Sequence, residues 1–245
     1  MKCNKRKIWN VPPEEEQKGL LFWFQILQKH YLTLFYANGL AVVSLLPMAY
    51  FVYLLVQTRD LVFWVLALVL WVLASPMQTA LQGTCTRLVH RRPVWLREDL
   101  KIVWKQEWKK SMLFGLVTGI LWSALAYCVW IVLAVDGGLS IGHMLLFVLV
   151  AYLLTGLTFF GFQQIAMVEL PLATAVKNAV LLIFAGKLRS FLAVVILWGT
   201  VLVPVIYYGL AAYILLLGWL ALGVMTAELM FAPVFRRLFL AEEAE

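Results

Sequence analysis

Glu228 is the side chain on which chemistry inside this chain would most readily turn. Between Arg189 and Arg236 it is the one charged residue, and a carboxylate in so apolar a stretch is unfavourable unless it is paired or wetted. Two uses are open to it: ion or proton handling, or pairing with a nearby Lys or Arg such as Arg236 and Arg237. The second is the expected one. Glu169 is similar, and it also precedes Pro171, where a negative charge favours the start of a helix. Gln163 and Gln164 lie side by side in another apolar run. They could hydrogen-bond a polar solute, although bonding between helices is the commoner use. His30, His90 and His143 fall on three separate segments and have no metal-ligand spacing. No G-x-S-x-G, P-loop, HExxH or CxxC is present, so neither an enzyme activity nor a cofactor or metal is expected.

The elements that must hold these residues are set by composition. The chain has 245 residues, of which 64% are hydrophobic and 13% charged, with a mean hydropathy of +0.89. That leaves too little polar surface to coat a water-soluble globule. The apolar runs are continuous rather than alternating, which selects helices over a barrel. The fold class expected is therefore all-α, a polytopic integral membrane protein. Cys3, Cys85 and Cys128 are odd in number and widely spaced, so no disulfide framework is expected. The first residues carry Lys2, Lys5, Arg6 and Lys7 with no apolar run directly after them, unlike a cleavable signal peptide.

About 18 or more apolar residues suffice for one crossing. Residues 33–56, 61–83, 112–135 and 139–168 each qualify, and 189–237 is long enough for a hairpin turning near Gly209. This predicts six spans in a 33–237 transmembrane domain, preceded by a 1–32 segment with a juxtamembrane helix and followed by a 238–245 tail. Of twenty Lys and Arg, only Arg59 falls in a link that six spans would place outside. Positive residues are retained on the cytoplasmic side, so both termini are expected inside. The same segregation accounts for the basic pI of about 9.4 through topology and contact with the lipid bilayer, and no nucleic-acid partner is expected.

Residues 91–111, RRPVWLREDLKIVWKQEWKKS, join the second and third spans. Leu96, Leu100, Val103, Trp104 and Trp108 fall on one stripe of a helix over 93–110, with Arg97, Glu98, Lys101, Lys105 and Lys109 away from it. Such a segment suits the inner headgroup layer. Arg97, Lys101, Trp104, Lys105, Trp108 and Lys109 are the candidates for docking a partner or lipid. A shorter counterpart before the first span would group Leu20, Trp23, Phe24, Leu27 and Tyr31. Pro171 to Gly186 predicts a further helix, re-entrant or interfacial. Ser111, Gly115, Gly119 and Ser123 recur every four residues, which lets a second helix approach closely, in the same chain or another.

Two stretches resemble the YesL-like membrane proteins, also called the domain of unknown function 624 family. One is FWFQILQKHYLTLFYANGLAVVSLLP, with Asn38 near the start of the first span and Leu46-Pro47 near its end. The other is ASPMQTALQGTCTRLVHRRPVWLREDLKIVWKQEWKKSMLFG, and ELPLATAVKNAVLLI is a weaker match. Glu107 stands before Trp108 where that family has Asn, and Met48 follows Leu46-Pro47 in place of a small or β-branched residue. The resemblance implies a protein of the bacterial cytoplasmic membrane with no assigned activity. It further implies an accessory or regulatory role beside a carbohydrate ABC importer, whose membrane or cytoplasmic subunits would be the partners. The residues themselves also allow an autonomous transporter or channel for a small polar solute, built on Gln163, Gln164, Glu228 and the polar end of the second span.

Overall fold

In hydrocarbon an apolar run has no water to bond its backbone, so it closes its own hydrogen bonds as a helix. The computed structural model describes residues 20–136, 138–168, 170–206 and 218–239, and every regular element among them is helical. In chain order these are α1 (Leu20–Thr58), α2 (Leu61–Val89), α3 (Leu96–Ile102), α4 (Trp108–Asp136), α5 (Ile141–Met167), α6 (Leu172–Ala185), α7 (Leu188–Ile206) and α8 (Leu220–Phe239). A π-helical segment, Val103–Glu107, joins α3 to α4.

Four helical stretches are long and apolar enough to cross a membrane: Leu21–Thr58, Leu61–Val89, Leu96–Ala134 and Ile141–Met167. The α6–α7 pair, bent by 104°, makes a fifth if it is one broken span. The chain is thus an all-helical, multi-pass membrane protein. The predicted turn near Gly209 and the tail beyond Phe239 lie outside the described residues, as does the 1–19 part of the N-terminal segment.

Local chemistry sets the ends of these helices. His30 leaves helical geometry inside α1 (φ −123°, ψ 17°), close to the predicted start of the first span at 33. Asp60 caps α2 by accepting from the Val62 N–H at 3.0 Å, and Ser140 caps α5 by accepting from the His143 N–H at 3.3 Å. Pro171 and Gly186 bracket α6 as their types suggest. The second helix continues to Val89, past the expected end at 83, because its polar last turns face protein rather than water: Thr79, Gln82, Thr84 and Thr86 are all buried.

α2 is central, packing on α1, α4, α5 and α8, while α5 carries α6 and α7 pairs with α8. The core is largely aromatic. Phe160 of α5 lies 4.4 Å from Phe231 of α8, and Phe114 of α4 meets Phe162 edge-on at 5.0 Å. Leu61, Leu145 and Ile141 are mostly exposed, as expected of lipid-facing positions.

In the segment before the first span Phe22 and Ile26 are buried, whereas Phe24 and Tyr31 are exposed. The Trp23 indole, on the expected stripe, donates to Thr226 of α8 at 3.0 Å and fastens this segment to the bundle.

Candidate functional site

The predicted residues converge on α8. Glu228 is fully buried there, and its carboxylate accepts from three side chains on two other helices. Gln163 of α5 donates to one oxygen at 2.7 Å. Thr86 of α2 lies 2.8 Å from the other oxygen, and the Gln82 amide donates to that oxygen as well. Among the described residues the expected pairing with Lys or Arg does not occur. Arg236 and Arg237 are eight and nine residues further on, more than two helical turns or about 12 Å along the axis. Neutral donors take their place.

α2 supplies two of these donors because Gln82 and Thr86, four residues apart, share one face of the helix. Thr79 lies on the adjoining turn, where its hydroxyl bonds Ser111 of α4 at 2.9 Å. Thr86 was missed because it follows the expected end of the second span, although the 79, 82, 86 spacing is a legible polar stripe. Asn38 was legible only through the family resemblance. Its side-chain oxygen accepts from the Ala221 N–H at 3.0 Å, satisfying one of the amides that the first turn of α8 leaves without an intrahelical partner.

The polar group extends beyond the bonds it forms. Gln163 Oε1, both amide atoms of Gln164, and Thr84 Oγ1 are buried with no hydrogen-bond partner among the described residues. Glu228, Gln163 and Gln164 are each 0% exposed, so no water-sized space touches them. The node is closed in this conformation. It can hold three helices together, and its unused amide atoms could take a polar group if the helices separated. Glu169 lies outside the described residues.

At the end of α2, His90 caps the helix and is 3% exposed. Its ring lies 5.3 Å from that of Phe235, and the Arg236 guanidinium approaches His90 Nδ1 at 3.5 Å. Burial pushes the imidazole pKa down to about 3, helped by the charges of Arg236 and Arg92, which keeps the ring neutral.

The expected stripe of the 91–111 link is divided: around its π-helical segment Val103 and Glu107 are buried. Trp104 and Trp108 are 48% and 37% exposed, alongside the exposed Arg97, Lys101, Lys105 and Lys109. Glu107 pairs with Lys110 at 3.0 Å. The link then runs directly into α4.

The small-residue stripe meets α2 of the same chain. Ser111 bonds Thr79, Gly115 abuts Ser75, and a Cβ at Gly119 would come 2.7 Å from Leu68. Ser123 is partly exposed. Among the described residues no three His, Cys, Asp or Glu side chains come together as a metal site would require.

No family model, curated protein or solved structure matches this chain.

Proposed function

We propose that this chain is an accessory or regulatory protein of a bacterial cytoplasmic membrane, with six spans and both termini inside, that docks an acidic partner through the 91–111 link. The observation that carries this reading is the link's two-sided construction. Val103 and Glu107 fix it to the bundle, while Trp95, Trp104 and Trp108 project outward among Arg97, Lys101, Lys105 and Lys109. Exposed Trp and Arg side chains are enriched in protein-binding patches, and the lysines around them favour an acidic partner by charge complementarity. The YesL-like motifs favour a carbohydrate ABC importer as the partner's setting, and nothing in the site calls for catalysis. Copurification from native membranes tests the reading. The wild-type chain should bring down a stoichiometric partner, and the Lys101→Glu, Lys105→Glu, Lys109→Glu variant should lose it. Equal recovery of the partner with both chains, or none with either, overturns it.

A second reading, a transporter for a small polar solute, is favoured by the convergence of Gln82, Gln163 and Glu228 on one point. It requires a conformation in which that node opens. Solute uptake into proteoliposomes that falls with Glu228→Gln would support it.

A further inference from the structure

The bend between α6 and α7 makes a second place of concentrated chemistry, away from both the Glu228 node and the 91–111 link. Gly186 ends α6 where an added Cβ would meet Ser190 and Phe231. Lys187 then takes a left-handed conformation at φ 45°, which is uncommon for a residue with a side chain. The chain turns by 104° and leaves an open cleft of about 680 Å³ against the last turns of α8.

Three cations line that cleft: Lys187 in the turn between the helices, Arg189 at the start of α7, and Arg237 of α8. All three are exposed, and none forms an ion pair among the described residues. Like charges gathered in one concavity repel one another, so an anion bound between them relieves an unfavourable field. The surroundings select the kind of anion. Leu188 and Leu238 line the same cleft and are 68% and 47% exposed, with Phe184 63% exposed beside them. Free phosphate would satisfy the cations and leave this apolar rim uncovered. A phosphate carrying acyl chains would cover both.

We propose that the cleft between the α6–α7 bend and the end of α8 binds the headgroup of an anionic phospholipid, its phosphate held by Lys187, Arg189 and Arg237 and its acyl chains lying on Leu188, Leu238 and Phe184. Basic pockets between membrane helices take such headgroups. This reading is independent of any partner docked at the 91–111 link.

The test uses the full chain, delipidated in neutral detergent and titrated with phosphatidylglycerol, phosphatidylcholine or inorganic phosphate. Bound lipid is counted by native mass spectrometry. Phosphatidylglycerol should be retained at about one molecule per chain, and neither phosphatidylcholine nor phosphate should displace it at equal concentration. Lys187→Gly removes a cation at a position whose backbone suits glycine, so its fold should survive, and retention should weaken about fivefold. Lys187→Gly with Arg189→Gln and Arg237→Gln should abolish it. A Lys101→Gln, Lys105→Gln, Lys109→Gln control should retain lipid like the wild type. Displacement by inorganic phosphate, equal retention of phosphatidylcholine, or an equal loss in the control would overturn the proposal.

Discussion

The Gln163 amide of α5 donates to the Glu228 carboxylate of α8 at 2.7 Å, across 65 residues of sequence. With Gln82 and Thr86 on the second oxygen, it ties three helices through one buried acid. Removing the acid takes this acceptor from the Gln82 and Gln163 amides in a space closed to water, while Thr86 keeps the Gln82 carbonyl at 2.9 Å. Glu228→Ala should therefore destabilise the folded protein by about 2 kcal/mol in a detergent-denaturation titration, at the modest worth of hydrogen bonds between membrane helices. Glu228→Gln keeps one acceptor and should lose about half of that. Equal stability of all three chains would show that the node does not hold the bundle.

Helix approach along the α2–α4 seam depends on missing side chains. A Cβ at Gly119 would lie 2.7 Å from Leu68 and 2.8 Å from Trp71, both too short for carbon contacts. Gly119→Val should cost about 1–3 kcal/mol by overpacking. Gly39 has no atom within 4 Å of its added Cβ, so Gly39→Ala should be neutral or gain up to about 1 kcal/mol from helix propensity. Thermal unfolding of the two variants side by side distinguishes these outcomes.

His90 predicts an acid-sensitive bundle end. Its pKa falls from 6.5 to about 3 on folding, so the unfolded chain takes up a proton that the folded one refuses. Its contribution is fully present above pH 6.5 and is lost as pH falls towards the folded value of about 3. His90→Phe should keep the ring contact with Phe235 and show a shallower loss of stability between those values. Identical pH profiles for the two chains would exclude His90 as the source.

Topology can be read by labelling single cysteines with a membrane-impermeant maleimide. In a Cys3→Ser, Cys128→Ser background, with Cys85 buried, Arg59→Cys should label in intact cells. Lys101→Cys should label only after the membrane is opened. The reverse pattern would invert the orientation expected from the basic residues.

The helical class, the start of the second span at 61 and the extent of α6 could be read from the sequence, because hydropathy, polar links and Pro–Gly punctuation act over a few residues. The positions of Glu228, Gln163 and Gln164 as candidates could also be read, since polar groups in apolar runs stand out one at a time. Their partnership could not. Which side chains meet Glu228 depends on which helices pack together and at what rotation, and that is set by fits such as Gly115 on Ser75 and Phe160 on Phe231. That Val103 is buried while its neighbour Trp104 is exposed was likewise hidden, because a stripe read from periodicity does not say which of its members meets the rest of the protein. Sequence alone determined that this chain forms long apolar helices able to cross a membrane. Tertiary packing alone decided which buried polar groups meet, because a hydrogen bond between distant helices carries no local signature.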